Sequence, residues 1–365
     1  LPHEYTLVGI AEELPTCGSL RQTHVLQALL LCLSNTRRIK RVAQDQDPIA
    51  QLTSHAAQSL SYNLKPNSAS SHDAVLAEKA LEVLKCLVVG FSALLDDTDL
   101  ISVAAYVDSD DTWTTEQAAA SARDILHHAF AKSDDIKYVF IVSTLLQNFI
   151  RPIFSRTTSS RITSSGRKAY YANDNQEDGI GRELVTGSVN DMKPWKGVQL
   201  HAITVFAWAV DESDEVIIGK NWPLFTPVLL ALLDDTESKF KRRGLCALQN
   251  FLLKCPARAL NDTGLGEVFE QSIFPSLLSL PTLTTESESL QLLEPAFDAL
   301  IRLADAQFPD KKNIAQRNRL LTRLLREGIF AGYWHATEYP RIVELFGRKT
   351  VPIIQHLGTF TIPHL

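Results

Sequence analysis

The clearest pattern of apolar and polar positions lies between Phe225 and Pro256, FTPVLLALLDDTESKFKRRGLCALQNFLLKCP. Phe225, Val228, Leu229, Leu232 and Leu233 recur at helical spacing and make one apolar stripe wide enough to bury. Asp234, Asp235 and Thr236 then break the period. Their side-chain oxygens accept the backbone N–H groups left over at a helix start, so they predict a turn and an N-cap. The period resumes with Phe240, Gly244, Ala247, Leu248, Phe251 and Leu252, while Lys239, Lys241, Arg242, Arg243 and Gln249 fall on the other side. Pro256 has no N–H to continue the helix and stops it. Two amphipathic helices joined by a tight acidic turn predict an antiparallel hairpin. Such a hairpin covers only one of its faces, so it expects neighbours of the same kind.

The same rhythm runs through most of the chain. Helices are expected over Leu20–Leu33, Pro48–Tyr62 and Asp73–Leu95, the last with Leu76, Ala80, Val83, Leu84, Leu87, Val88, Phe91 and Leu95 on one face. Asp96–Asp99 reads as an acidic turn like the one at Asp234, and Lys65–Ser71 as a loop. Thr114 with Gln117 matches a capping box opening a helix striped by Ala118, Ala122, Ile125, Leu126, Ala129 and Phe130. Ile136–Ile150 is apolar nearly all round, as an inner helix would be, with Pro152 ending it.

Ser155–Gly187 differs: it is polar, rich in Ser, Thr and Gly, and basic before it is acidic. With no apolar face to bury, it reads as a mobile surface excursion, because burial cannot offset the entropy of ordering it. The sharper reading is a regulated loop, since several Ser and Thr stand beside Arg. Helices resume at Val198–Val210, Trp222–Leu233, Lys239–Lys254 and Thr263–Leu280. Thr285 with Glu288 forms another capping-box match, opening a stripe of Leu290, Leu293, Phe297, Leu300, Ile301 and Ala304 in which Pro295 predicts a kink. Asn313–Leu325, Pro340–Phe346 and Thr350–Leu357 complete the set, and almost no strand alternation is found. The expectation is an all-α, HEAT-like α-solenoid of antiparallel helical hairpins interrupted by a long polar loop. Its parts are an N-terminal helical-repeat region (1–152), the Ser/Thr-rich loop (153–192) and a C-terminal repeat region (193–365). Pro227 early in a first helix, Asp in the turn and Lys/Arg early in the second helix also resemble the HEAT pattern, and Phe274-Pro275 repeats Pro227 about 48 residues on.

Composition narrows the class. A 365-residue chain with 45% hydrophobic and 21% charged residues is that of a folded soluble protein, and its net charge of −6 argues against a general nucleic-acid binder. No uninterrupted apolar run approaches the roughly 20 residues that cross a bilayer, so no membrane partner is expected. Cys17, Cys32, Cys86, Cys246 and Cys255 are scattered without a C-x-x-C pair and read as reduced core thiols in a reducing compartment. Met192 is the single methionine, so the chain is read as a trimmed piece of a longer product.

Candidate chemistry is sparse. There is no H-E-x-x-H, P-loop or G-x-S-x-G, so no catalytic residue, metal ligand or cofactor site is assigned and no enzyme is expected. Gly179-Ile180-Gly181 lacks the third glycine and the preceding strand of a dinucleotide loop. His127 and His128 are adjacent, point to different sides of a helix and read as structural. The Asp pairs at 96–97 and 234–235 fit helix capping better than cation binding. Lys241-Arg242-Arg243 is the sharpest basic cluster: either the solvated side of a helix or the inner surface of a curved array that meets an acidic partner. Trp195, between Lys193 and Lys196, is either an interface anchor or a plug at the end of a helical layer.

LLDDTESKFKRRG (Leu232–Gly244), TGLGEVFEQSIFPSLLSLPTLT (Thr263–Thr284) and ESLQLLEPAFDAL (Glu288–Leu300), together with KPWK (Lys193–Lys196), resemble the Tel-two-interacting protein two family, the smallest subunit of the TTT cochaperone complex. The resemblance runs from about Lys193 to Ala304. It implies a non-enzymatic scaffold that binds a larger HEAT-repeat subunit directly and the Tel-two subunit within the complex. Through the heat-shock-ninety system and its RuvB-like adaptor, that complex supports phosphatidylinositol-3-kinase-related kinases, including TOR and the DNA-damage kinases. The compartment implied is the cytoplasm, with the nucleus as a second. Lys193, Trp195, Lys196, Trp222, Arg242 and Arg243 are the candidate contacts. The alternative is another HEAT/ARM scaffold, such as a transport receptor or phosphatase scaffold.

Overall fold

The computed structural model describes residues 4–14, 22–40, 45–64, 73–131, 133–155, 161–163, 166–169, 193–309 and 313–364. The fold is all-α. Extended structure among these residues is confined to a parallel pair, β1 (Tyr5–Thr6) and β2 (Ile39–Lys40), and one antiparallel bridge between Ile162 and Lys168. The chain divides into two compact units, residues 1–153 with 192–209, and residues 154–191 with 210–365. Lys193–Lys196, expected to open the C-terminal region, therefore belongs to the first unit.

The first unit contains α1 (Leu7–Glu13), α2 (Gln22–Ser34), α3 (Gln46–Asn63), α4 (Ala74–Lys85), α5 (Asp97–Ala104), α6 (Glu116–Phe130), α7 (Asp134–Val139) and α8 (Arg151–Phe154). The helix α4 is its hub and packs on α2, α3 and α6. Leu76, Ala77, Ala80, Leu81, Val83 and Leu84 of α4 are buried, which fits the apolar stripe. The expected helix to Leu95 ends early. After a π-helical turn at Cys86–Gly90, Ser92 adopts a left-handed conformation with φ of 57°, and Ala93 N–H returns to the Leu87 carbonyl at 3.1 Å. A left-handed residue reverses the chain at a helix end, so Leu94 is left exposed. Asp96 is the N-cap of α5, as read for the Asp pair at 96–97, its carboxylate accepting from Asp99 N–H at 2.7 Å.

The cap of α6 is shifted by one residue. Thr115, not Thr114, accepts from Ala118 N–H, and Gln117 donates to Glu82 instead of closing a capping box. Pro152 does not end its helix. The turns before it, Phe140–Ile150, are π-helical, so the ladder a proline would break is already displaced, and the chain continues to Phe154. Ile136 and Val139 are exposed, so α7 is not an all-round inner helix. Tyr106 is fully buried and donates to the Leu60 carbonyl at 3.1 Å. The helix α9 (Ala202–Glu212) spans the division between the units.

The second unit contains α10 (Glu215–Leu233), α11 (Ser238–Leu252), α12 (Ala257–Asn261), α13 (Leu265–Ile273), α14 (Glu286–Gln307), α15 (Ile314–Arg323), α16 (Ala331–Ala336) and α17 (Pro340–Leu357). Here α14 is the hub, with α11, α12, α13, α15 and α17 around it. The Thr285–Glu288 capping box is formed, and α14 runs through Pro295 as one helix. The helix α10 starts at Glu215, earlier than the apolar stripe predicts, because Asp214 accepts from Ile217 N–H at 2.7 Å. Pro223 and Pro227 thus lie inside it and not near its start. By length and composition α10 could cross a membrane, but Phe225 and Val228–Leu233 are buried within the protein, and that burial is the use its apolarity serves here. Gly244 lets α11 approach α10 closely: a Cβ there would stand 2.8 Å from that of Leu232.

Several other differences lie near prolines. The expected helix Thr263–Leu280 shrinks to α13 and gives way at Phe274-Pro275 to the 3₁₀ turn Phe274–Leu278. Conversely, Pro340–Phe346 and Thr350–Leu357 merge into α17, which passes through Pro352. The helix expected to end at Leu325 runs on through the π-helical turns Leu324–Phe330 into α16. Cys255 is buried, and burial pushes its thiol up to about 12, whereas Cys246 is exposed and is not a core thiol. Lys65–Ser71, Gly179-Ile180-Gly181 and Cys17 lie outside the described residues.

Candidate functional site

The six candidate contact residues fall into both units, three in each. In the first unit, Pro194–Lys196 forms a 3₁₀ turn held by Gln199 N–H donating to the Pro194 carbonyl at 2.9 Å. The turn drives Trp195 inward until none of its surface is exposed. Lys193 and Lys196 place their ammonium groups 5.3 and 5.6 Å from its ring centroid, close enough for cation–π attraction. Trp195 is therefore the plug of the two readings: it presents no surface to a partner.

In the second unit, α11 buries Phe240, Gly244, Leu245, Ala247, Leu248, Phe251 and Leu252. That choice of face turns Arg242 out to the surface and leaves Arg243 half-buried at its edge. Lys239 caps the start of the same face, 4.6 Å from the Phe240 ring and paired with Glu237 at 3.1 Å. Trp222 is half-buried and partly covered, because Gly166 lies so close that a Cβ would sit 2.9 Å from its Cζ3.

This cover comes from the stretch expected to be a mobile excursion. Its described residues are ordered by contacts with the second unit. Arg161 donates to Asp234 at 3.3 Å and to Ser272 at 2.7 Å; Lys168 pairs with Glu267, and its backbone N–H bonds to the Thr263 carbonyl at 2.9 Å. Thr163 N–H donates to the Arg167 carbonyl and Gly166 N–H to that of Thr163, both at 2.8 Å. Ile162 is buried. A polar sequence can be ordered this way because fixed acidic partners on α13 and at the end of α10 supply the attraction that an apolar face would otherwise supply.

Asp235, buried at the α10–α11 corner, accepts from Glu237 N–H at 2.9 Å. The capping read for the Asp pairs holds at Asp96, whereas the N-cap of α11 is Glu237 without a side-chain cap bond, because Asp234 is drawn to Arg161 and Asp235 to the Glu237 N–H in the corner. Among the described residues no group of three or more His, Cys, Asp or Glu side chains is placed to hold a metal.

The larger concave features were not signalled by any motif. A polar groove of about 1380 Å³ runs along α13 and α15, lined among others by Glu267, Glu270, Arg319, Arg323, Arg326 and Glu327. Beyond Arg326 on the same continuous helical stretch, Phe330, Tyr333 and Trp334 line an apolar cleft of about 530 Å³ against Val343 and Gly347 of α17. Trp334 is 80% exposed. The spacing of Arg319, Arg323 and Arg326 and the aromatic run Phe330–Trp334 were legible signals, had the helix been extended past Leu325.

Residues 100–365 match the model of the Tti2 family. The chain belongs to the Tti2 family. The match reaches beyond the Lys193–Ala304 stretch on which the resemblance was read: it takes in α5–α8, the polar stretch and the last helices. No curated protein and no solved structure matches the chain. Membership of the Tti2 family supports a role as a TTT-complex subunit, and that family is a cochaperone component not known as an enzyme.

Proposed function

We propose that the chain is a non-enzymatic scaffold subunit of the TTT complex. In this reading it binds the larger HEAT-repeat subunit directly, joins the Tel-two subunit within the complex, and supports the maturation and stability of phosphatidylinositol-3-kinase-related kinases with the heat-shock-ninety system. The observation that carries it is the Tti2 family match over residues 100–365. The all-helical build is compatible with it: α10 packs on α11 and α11 on α14, the kind of helix-on-helix layering that antiparallel HEAT-like hairpins would use. Function then rests on binding energy alone, from a few anchors inside a charged rim. Arg242 and Arg243 are the proposed contacts in the second unit, and Lys193 and Lys196 in the first. The working compartment is the cytoplasm, with a nuclear pool, and no nucleic acid is bound.

The test is affinity purification of the tagged full chain with mass spectrometry. Recovery of a large HEAT-repeat subunit and Tel-two is expected; recovery of Ran or a phosphatase in their place would transfer the chain to the transport-receptor or phosphatase-scaffold class. Charge reversal, R242E/R243E, is expected to weaken capture of the large subunit by about ten-fold with unchanged helical circular dichroism. Undiminished capture would remove α11 from the interface.

A further inference from the structure

The groove and cleft beside α15 and α16 set two exposed arginines next to an exposed aromatic patch. The three acids of the groove are each engaged in an ion pair. Glu267 is paired with Lys168, and Glu270 and Glu327 are both paired with Arg323, at 2.7 and 2.9 Å. Arg323 is further fixed by the face of Phe274, 3.9 Å away. Arg319 and Arg326, one on each side of it, are exposed and form no ion pair among the described residues. Lys168, Arg319, Arg323 and Arg326 stand against three carboxylates, an excess of one positive charge on a chain of net charge −6, and the two arginines that form no ion pair share one concavity. They stand about 10 Å apart along the helix by its rise per residue.

The aromatic side continues from there. Phe330, Tyr333 and Trp334 are 40, 48 and 80% exposed, and Gly347 of α17 leaves open space opposite them, with nothing within 4 Å of where its Cβ would be. A bulky apolar side chain fits such a cleft, and Trp and Tyr are the residues that carry binding energy in interfaces. Arg presents its planar fork to carboxylates, and the pairing is stronger in a groove than in open water.

We propose that this face of the second unit binds a partner-protein segment in which acidic residues are followed or preceded by a large apolar anchor. The carboxylates pair with Arg319 and Arg326, and the anchor enters the Phe330–Tyr333–Trp334 cleft. Charge complementarity selects this occupant: a basic or neutral apolar helix would fill the cleft and leave both arginines unmatched. The proposal stands apart from the assignment to the TTT complex, since it concerns the chemistry of the segment and not the identity of its owner.

The test selects random 12-residue peptides displayed on phage against the full chain and titrates the enriched sequences, fluorescein-labelled, by polarisation. Enriched peptides are expected to be net acidic and to contain at least one Leu, Phe or Trp. R319E/R326E and W334S should each weaken them by about ten-fold or more, while R319K/R326K keeps binding within about three-fold. If R319E/R326E loses helical circular dichroism, R319Q/R326Q replaces it. Absence of any enrichment, enriched peptides without acidic bias, or binding indifferent to the arginine variants would overturn the proposal. So would concentration-dependent dimerisation in sedimentation that W334S abolishes, because the occupant would then be a second copy of this chain.

Discussion

Trp195 and Trp334 invite opposite expectations and meet opposite fates. Trp195 lies between two lysines just after a polar stretch, the setting of a surface anchor, yet it is fully buried, with the lysine charges beside its ring. Trp334 lies inside a helical run with no charged flank and is 80% exposed. The difference is geometric. A 3₁₀ turn begun by Pro194 points its central side chain into the unit, whereas α16 buries only Gly332 and Ala336 and turns its aromatic side outward. Neighbouring charge does not decide whether an aromatic ring is a core residue or a contact; the face the backbone presents does.

The strongest way to break that contrast is to remove the buried ring. Trp195→Ala should cost about 3–5 kcal/mol of stability, the range for large aromatic truncations in a core, read as a fall in the denaturant midpoint. A loss under about 1 kcal/mol would mean the ring is not enclosed. Next in size, Gly244→Val should cost about 1–3 kcal/mol by forcing α11 away from Leu232. The same measurement should show no change in the slope of the transition.

The contrast extends to charge. Asp99 is half-buried, and burial, then the negative Asp96, raise its carboxyl to about 6. Between the unfolded value of about 4 and that folded value, the folded state holds a proton the unfolded chain has lost. Stability from this group therefore falls as pH rises from about 4 to 6. Asp99→Asn should flatten that slope and gain about 1 kcal/mol at pH 7, discounted for its partial exposure. Asp96 works in the opposite sense: the Asp99 N–H it accepts lowers its own carboxyl, so its contribution is lost only as pH falls through that depressed value. Smallest of all, Trp334→Ser should change stability by no more than about 0.5 kcal/mol. A larger loss would show the ring to be structural after all.

Helix existence was legible in the sequence, because apolar residues at 3.6-residue spacing leave little alternative. The α10–α11 pair and the Thr285 cap followed from that spacing and from side chains able to accept backbone N–H groups. Helix ends were less legible where the deciding event was a single backbone choice. Ser92 turned left-handed inside an unbroken apolar pattern, Pro152 was accommodated where a stop was expected, and α17 runs without the break expected between Phe346 and Thr350. The contacts of residues 161–163 and 166–169 were invisible for another reason: their partners, Asp234, Glu267 and Ser272, lie about 70 to 110 residues away. Of the candidate contact residues, Arg242 is outward-facing as its side of the helical pattern predicts, while Trp195 was not separable from a plug by sequence alone.

The division of the chain has a practical corollary. Residues 154–191 belong with the C-terminal helices, and 192–209, with Trp195, belong with the N-terminal ones, so each unit is built from two separate stretches of the chain. A protease nick between 170 and 191 would give two fragments, each retaining a piece of the other's unit, and they should co-elute until denatured. Dividing the gene at the same place would produce two orphans, one lacking its tryptophan plug and the other the basic clip that covers Trp222.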